Sequence, residues 1–309
     1  MSELILHHYP NSPFSEKVRW VLGFKGLDWR SVIVPSMLPK PDVEALTGGY
    51  RRTPFMQIGA DVYCDSALMC RVIDTLAPEP TLYPAANAGL AEIVAQWADA
   101  MLFWTAVPFT MQPEGAVHVL KGATPEVMKA FGADRAAMNP NFRRPTIADG
   151  GAALHAYLAR LDNMLADGRS FLLGAAACIA DFSAAQSIWF MHRAPPIAAL
   201  LVGYPEVSAW YARVQAFGQG RFTPMTSAEA ITVAAQASHA PPSFTAEPGL
   251  AEGAAVTVTP TDYAHDPVAG TLVGLSFDEV VIARDDLRAG RVHVHFPRLG
   301  FQTKPSQPN

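Results

Sequence analysis

The stretch LILHHYPNSPFSEKVR, residues 4–19, decides the fold because it contains a strand, a turn and the start of a helix. The apolar run at residues 4–6 is typical of a buried parallel strand. Ser12 is a good helix N-cap, and Pro13 suits the first helical position. The apolar run at residues 31–34 predicts a second strand, so that residues 4–34 form a β-α-β unit.

A second unit follows in the sequence. Residues 55–58 and 61–64 predict two strands, and the tight connection Gly59-Ala60 between them indicates a hairpin. Asp65-Ser66 then predicts the N-cap of a helix that ends near residue 76. A β-α-β unit followed by a β-β-α unit is the element order of the thioredoxin fold.

From residue 84 onward the pattern becomes helical. Periodicity predicts helices over residues 90–111, 124–135, 146–166, 181–193, 206–217 and 224–237. Helices at this density, without strands between them, indicate a helical bundle.

Beyond the Pro-rich linker at residues 239–242 the apolar period becomes two. Four short runs show it, at residues 255–259, 270–274, 279–282 and 291–296. They predict a small antiparallel β module. We therefore predict a thioredoxin-like domain over residues 1–80, an all-helical domain over 84–238, a β-rich module over 241–301 and a disordered tail over 302–309.

The composition is that of a folded, mildly acidic protein. Of the 309 residues, 50% are hydrophobic and 17% are charged, with a formal net charge of -5. Such a chain has no general attraction for nucleic acid or anionic lipid, so we expect neither as a partner. The pattern of a signal peptide is missing, and no apolar stretch is long enough for a bilayer, so we expect a cytoplasmic protein.

The three cysteines, Cys64, Cys70 and Cys178, form no C-x-x-C pair and no zinc spacing. An odd and sparse count of this kind fits a reducing compartment. Because Ser12 and Ser15 bracket the first helix start without a cysteine, thiol–disulfide exchange is not expected to centre there.

Three motifs occur in one order along this pattern. Ser12-Pro13-Phe14 opens the first helix, Thr53-Pro54 opens the third strand, and Asp65-Ser66 follows the fourth strand. Together they resemble the cytosolic glutathione S-transferases, a family with a thioredoxin-like domain and a helical C-terminal domain. The resemblance extends from residue 4 to about residue 220. It implies a homodimeric detoxification transferase that uses glutathione as co-substrate and a small apolar electrophile.

The resemblance implies that Ser12 acts on the glutathione sulfur, with Tyr9 as the alternate hydroxyl. A free thiol has a pKa of about 8.5, so little thiolate is present at neutral pH. A helix N-terminus and a hydroxyl donor both favour the thiolate, which then attacks an electrophile. Ser12 alone would equally be an ordinary helix cap.

The same resemblance assigns the binding of glutathione. Thr53, before a cis Pro54, would pair its backbone with the cysteinyl part, beside Phe14. Asp65-Ser66 would hold the γ-glutamyl end, where the carboxylate meets the ammonium and the helix N-terminus meets the α-carboxylate. Each motif by itself has a structural explanation, as a strand-edge proline or a helix cap.

The residues that would bind the electrophile are marked by a weaker sequence pattern than those that would bind glutathione. Tyr9 and three side chains of the long helix, Trp97, Met101 and Trp104, are candidates for an apolar pocket between the domains. A stripe of Met and aromatic residues on a long helix equally predicts core. The alternative to an enzyme is a non-catalytic protein of the same fold that binds glutathione or another ligand, or that assembles through its tail.

Histidines in the β-rich part suggest one further kind of site. His293 and His295 lie two apart in a predicted strand and share a face, so with His265 they could approach a metal ion. No carboxylate or cysteine spacing supports a metal there. We therefore expect exposed imidazoles and no metal.

Overall fold

The computed structural model describes residues 3–306. Its first elements are β1 (Leu4–His8), α1 (Pro13–Phe24), β2 (Asp28–Ile33), α2 (Pro41–Thr47), β3 (Phe55–Ile58), β4 (Asp61–Cys64) and α3 (Ser66–Leu76). β1 pairs in parallel with β2 and antiparallel with β3, which in turn pairs antiparallel with β4. The predicted thioredoxin-like domain is thus confirmed.

A helical bundle follows, as predicted. It contains α4 (Ala88–Trp97), a π-helical turn (Ala98–Leu102), α5 (Phe103–Thr110), α6 (Pro113–Val119), α7 (Pro125–Met138), α8 (Ile147–Leu165), α9 (Ile179–His192), α10 (Pro195–Ala198), a 3₁₀ turn (Ala199–Gly203) and α11 (Pro205–Gln215). Nearly every residue of α9 is buried, which makes this helix the centre of the bundle. Its core is continuous with the face of the sheet that α1 and α3 cover.

The chain after α11 returns to the sheet. β5 (Arg221–Met225) pairs in parallel with β2, and α12 (Ser227–Gln236) buries Ala230, Ile231 and Ala234 beside Val32. The predicted helix over 224–237 is therefore wrong at its start, because Pro224 lies in an edge strand, where its missing N–H costs no ladder bond. Residues 221–236 belong with the sheet rather than with the predicted helical domain.

The β-rich segment has five strands instead of four. They are β6 (Ala255–Pro260), β7 (Val268–Leu275), β8 (Glu279–Asp286), β9 (Gly290–Pro297) and β10 (Phe301–Pro305). β10 pairs antiparallel with β6, so the predicted disorder is wrong for residues 302–305. The backbone hydrogen bonds of this pairing order residues 302–305, a polar and mostly exposed run whose sequence does not predict a strand. Residues 307–309 of that predicted tail lie outside the described residues.

The β-rich segment extends the thioredoxin-like sheet. The ten strands lie in the order β10-β6-β7-β8-β9-β4-β3-β1-β2-β5. The junction is a parallel pairing of β4 with β9, in which Val62 lies opposite Val294. Val62, Val256 and Phe296 are fully buried in one shared core. The boundary predicted at residue 241 therefore separates two parts of one sheet, and the remaining domain boundaries stay a prediction.

No helix within residues 3–306 combines the length and the apolar character needed to cross a bilayer.

The junction of β4 and β9 holds a buried histidine between two carboxylates. His295 Nε2 lies 3.0 Å from Asp61 Oδ1, and its Nδ1 lies 2.7 Å from Glu279 Oε1. Burial opposes the charged imidazole, but hydrogen bonds and charge from Asp61 and Glu279 outweigh it and raise the pKa of His295. We infer a protonated His295 that donates to both carboxylates.

His293, two residues before His295, has a lowered rather than a raised pKa. The ring of His293 stacks on that of His239 with 3.6 Å between centroids, and burial lowers the pKa of His293 to about 4. His265 bonds elsewhere, to the carbonyl of Pro260. The expected exposure of His293 and His295 is therefore wrong, because β9 lies inside the sheet with both faces covered. Among residues 3–306, no group of three or more His, Cys, Asp or Glu is arranged to hold a metal ion.

The raised pKa of His295 predicts a pH-dependent stability. A group that binds its proton more tightly in the folded state stabilises fully below its unfolded pKa of about 6.5, and loses that effect as pH rises through the folded pKa. We expect the free energy of unfolding to fall more between pH 6 and pH 9 in the wild type than in His295→Gln, measured by urea unfolding. His118→Gln, at an exposed histidine, should retain the wild-type pH dependence. An unchanged slope in His295→Gln would assign the pH dependence to other groups.

Candidate functional site

A cavity of about 740 Å³ opens between the N-terminal end of α1, the π-helical turn after α4 and the β-rich segment. Its lining comes from three parts of the chain. The thioredoxin-like domain contributes residues around Thr53 and Asp65, and α4 contributes Glu92, Ile93 and Gln96. Loops of the β-rich segment supply the remaining wall. The cavity therefore needs all three parts.

The five residues predicted to bind glutathione all line this cavity; they are Phe14, Thr53, Pro54, Asp65 and Ser66. The Thr53–Pro54 bond is cis, as the resemblance implies. Asp65 caps α3, since its Oδ1 accepts a hydrogen bond from the N–H of Ala67 at 2.9 Å. Asp65 has a φ of 76°, a left-handed value that is uncommon outside glycine and that occurs often at functional sites.

Thr53 is held from behind by a buried lysine. Lys40 Nζ donates to Thr53 Oγ1 and to the carbonyl of Arg51, both at 3.1 Å. Burial and the charges of Arg135 and Arg51 lower the pKa of Lys40 to about 8, against the effect of Asp134. Lys40 thereby fixes the loop before the cis bond and keeps the Thr53 backbone at the cavity wall.

Ser12, the predicted catalytic hydroxyl, is buried and is not among the residues that line the cavity. Its Oγ accepts from the N–H of Ser15 at 3.2 Å and donates to the carbonyl of Thr53 at 3.4 Å. The first contact is an N-cap. In this arrangement Ser12 lies directly behind Thr53. Its hydroxyl proton is donated to a carbonyl of the loop that the ligand would contact.

The candidate electrophile residues are not brought together. Tyr9 accepts a hydrogen bond from Arg135 at 3.5 Å, and Trp97 packs edge-on against Tyr157 within the bundle. Met101 is 54% exposed, and Trp104 does not line the cavity but packs edge-on against Tyr263, which does. The π-helical turn contributes to the separation of Trp97 from Trp104, because the wider turn adds a residue and rotates the side chains that follow it.

The sequence did not identify two charged pairs in the cavity wall. Lys17 Nζ lies 2.6 Å from Asp99 Oδ2 and 3.3 Å from Ser66 Oγ, which ties α1 to the π-helical turn. Arg52 forms an ion pair with Asp262 from the loop between β6 and β7. In the sequence Lys17 stands beside Glu16 and near Arg19, which is typical of an exposed polar face, and no local signal indicates that the helical domain covers it.

The cysteines do not contribute to the cavity. Cys64, Cys70 and Cys178 are free, buried and outside its lining. Burial raises the pKa of Cys70 and of Cys178 to about 12, with Lys17 opposing the shift of Cys70 and Asp181 adding to that of Cys178. These thiols stay protonated and unreactive at neutral pH.

Comparison with known proteins agrees with this architecture. Residues 6–81 match the model of the glutathione S-transferase N-terminal domain, and residues 141–213 match that of the C-terminal domain. A glutathione S-transferase from Rhodospirillum rubrum F11 is 21% identical, with 69% of this chain and 87% of that chain covered and a TM-score of 0.52. The β-etherase LigF from Sphingobium sp. strain SYK-6 is 16% identical, with 70% and 96% covered and a TM-score of 0.53. These two structures share the fold.

The β-rich segment is present in a further relative. The crystal structure of a GST-like protein from Pseudomonas syringae is 41% identical, covers 99% of this chain and 100% of that chain, and has a TM-score of 0.82. Comparison with curated protein sequences found no match. Identity at this level over nearly the full length, together with both domain models, shows that the chain belongs to the glutathione S-transferase family.

Proposed function

We propose that this protein is a glutathione transferase that joins the glutathione thiolate to a small apolar electrophile. One observation carries the proposal: the five residues expected to bind glutathione line a single cavity at the N-terminal ends of α1 and α3. Two helix N-termini and a cis-proline loop offer backbone N–H groups and positive partial charge to an anionic peptide.

In this proposal glutathione lies across Thr53 and Asp65. The Asp65 carboxylate binds the γ-glutamyl ammonium, and the N-terminus of α3 with Ser66 binds the α-carboxylate. The Thr53 backbone pairs with the cysteinyl part. Phe14, whose ring lies 4.7 Å from that of Phe103, gives an apolar surface beside the sulfur.

The reaction needs little from the protein beyond a stabilised thiolate. The thiol releases its proton to solvent, the sulfur forms a bond to the electrophilic carbon, and the leaving group departs with the bonding pair. Ser12 stabilises the thiolate when its hydroxyl proton turns from the Thr53 carbonyl to the sulfur, with the N-terminus of α1 adding positive potential. The proposal includes a cytoplasmic homodimer, as the family resemblance implies.

One observation favours the alternative of a non-catalytic glutathione- or ligand-binding protein. Ser12 already has two hydrogen bonds within the protein and does not line the cavity. If this alternative holds, the experiment below will show binding of glutathione without turnover.

Calorimetric titration with reduced glutathione tests the proposal. Asp65→Ala should weaken binding at least tenfold, because a hydrogen-bonded charged contact is lost. Ser12→Ala should bind comparably but turn over a chloronitroarene about 100-fold more slowly, as expected for loss of one donor to a developing anion. Asp285→Ala, at an exposed aspartate in β8, is the control and should match the wild type.

Two results would oppose the proposal in different ways. Absence of binding at millimolar glutathione would exclude it. Binding that Asp65→Ala weakens, without turnover of any electrophile, would instead support the non-catalytic alternative.

A further inference from the structure

The chain between α2 and β3, residues 48–54, contains the backbone expected to pair with the cysteinyl part of glutathione, and we call it the cis-proline loop. It has no regular secondary structure, and it begins with Gly48 and Gly49, whose φ values are 76° and 108°. Glycines at positive φ allow the chain to turn but leave it conformationally free. Contacts with neighbouring parts of the fold must therefore keep Thr53 at the cavity wall.

Alternate residues of the cis-proline loop contact the β-rich segment. The Arg284 side chain of β8 lies where a Cβ on Gly48 would be. The ring of Tyr50 packs against that of Phe296 in β9, as well as against a second ring in β10. Arg52 lies against the loop between β6 and β7. One side of the cis-proline loop is therefore in contact with the β-rich segment along most of its length.

The residues between these three bond to other parts of the protein. Arg51 pairs with Asp134 of α7 at 2.6 Å, and Thr53 is bonded by Lys40 and Ser12. The cis-proline loop thus lies between the β-rich segment on one side and the rest of the fold on the other. The family models end at residue 213, so the contacts of the β-rich segment come from outside the two domains that define the family.

Arg52 makes the most extensive contact with the β-rich segment. It is only 8% exposed, and both of its Nη atoms donate to the Asp262 carboxylate, one of them also to the carbonyl of Tyr263. Its guanidinium lies 3.7 Å from the centroid of the Tyr263 ring and 5.9 Å from that of Phe301. Its Nε is buried and has no hydrogen-bond partner within residues 3–306. Asp262 is therefore the carboxylate that compensates a buried positive charge directly before Thr53.

Loss of this compensation is expected to move the cis-proline loop. A buried guanidinium without a carboxylate is costly, so without Asp262 the Arg52 side chain should turn toward the cavity that it lines, where water can reach it. Because one peptide bond joins Arg52 to Thr53, that movement also displaces the Thr53 backbone. A binding site loses affinity when its groups must first be ordered by the ligand.

We propose that the β-rich segment positions the cis-proline loop for glutathione, with Arg52 and Asp262 as the positioning residues. The inference rests on the proposed glutathione binding. The ion pair holds the Thr53 backbone in its binding conformation before the ligand arrives, so that binding does not have to order it. The β-rich segment thereby belongs to the glutathione site, although Asp262 acts through Arg52 rather than on the ligand itself.

Calorimetric titration with reduced glutathione tests the inference on variants of the pair. Asp262→Ala should weaken binding about fivefold, the effect of losing roughly one hydrogen-bonded contact. The KM for glutathione should rise to the same degree while kcat for the chloronitroarene stays unchanged, because Ser12 keeps its position. Asp262→Glu can again pair with Arg52 and should recover most of the affinity. Asp266→Ala, in the same loop but outside the cavity lining, is the matched control and should behave as the wild type.

A double-mutant cycle distinguishes positioning from direct contact, since Asp262 itself lines the cavity. If Asp262 acts through Arg52, the double variant Arg52→Met/Asp262→Ala should bind glutathione no more weakly than Arg52→Met alone. Additive losses would overturn the inference, because Asp262 would then act on the ligand directly. Hydrogen exchange in the ligand-free protein is an independent readout. The backbone amides of residues 48–53 should exchange faster in Asp262→Ala than in the wild type.

The outcomes separate this inference from the proposed function. If the wild type binds glutathione and Asp262→Ala binds it equally well, or exchanges residues 48–53 at the wild-type rate, the inference alone is overturned. If the wild type binds no glutathione at millimolar concentration, both are overturned. Each titration is made below the thermal transition of the variant, so that the affinity refers to folded protein even where the substitution lowers the stability.

Discussion

Lys17→Met is expected to lower the free energy of unfolding by about 3 kcal/mol or more, the usual effect of removing one partner of a buried ion pair. The side chain of Lys17 is fully buried, and that of Asp99 is 20% exposed. Burial opposes the ammonium, but the Asp99 charge outweighs it and raises the pKa of Lys17. Without Lys17, the partners that Asp99 keeps among residues 3–306 are the neutral donors Ser183 and Gln186.

The pair also joins two domains, since Lys17 lies on α1 and Asp99 in the π-helical turn. Urea unfolding measures the change as a lower midpoint at unchanged slope. Lys121→Met, at an exposed lysine, is the matched control and should remain within about 0.5 kcal/mol of the wild type.

A double-mutant cycle separates the pair from its surroundings. Asp99→Asn leaves a buried ammonium, so it too should destabilise the protein, and the double variant should lose less than the sum of the two single variants. Loss of less than about 1 kcal/mol in Lys17→Met would mean that Met fills the space as well as the ion pair does, as hydrophobic replacements sometimes do.

Much of the thioredoxin-like domain could be predicted because its elements carry local signals. The strands predicted at residues 55–58 and 61–64 have those bounds in the structure, and Gly59 between them has a φ of 62° that the turn requires. Ser12 and Asp65 cap α1 and α3 with their side chains. A cap or a tight turn is determined by a few neighbouring residues, so the sequence alone can reveal it.

The pairing of β9 with β4 could not be predicted in the same way. Alternation of apolar residues identifies a strand but does not name its partner, and these two strands are more than 200 residues apart. An unpredicted strand partner changes the expected burial of single residues. His293 and His295 have the spacing of one exposed face, yet both are buried because β9 became an interior strand.

The same limit applies to the site. Residues near the caps of α1 and α3 were found because they have two roles, one local and one in the ligand cavity. Tyr263 has no local role that a sequence pattern marks, and it reaches the cavity only because β6, β7 and β9 place its loop there. The π-helical turn similarly changed which side chains of the long helix face inward.

Phe296→Ala is expected to destabilise the whole protein by about 3 to 5 kcal/mol, the range for a buried phenylalanine. Phe296 in β9 is fully inaccessible to solvent. Its ring lies 5.8 Å from that of Tyr50, in the loop before β3, and 5.6 Å from that of Phe301 in β10. Truncation therefore leaves a cavity at the contact between the β-rich segment and the thioredoxin-like domain. Urea unfolding, with near-ultraviolet circular dichroism as a second probe, measures the change.

The number of unfolding transitions is as informative as their urea midpoints. Because one core joins Val62, Val256 and Phe296, we expect a single cooperative transition in both wild type and variant, with the two probes coinciding. Phe277→Ala, in the same segment but 88% exposed, should remain within about 0.5 kcal/mol of the wild type. A separate early transition in Phe296→Ala, with the main transition unmoved, would show instead that residues 241–301 fold as an independent module, as their sequence pattern predicts. The shared sheet favours the first result, since unfolding the β-rich segment alone would expose the edge of β4 and one face of the thioredoxin-like core.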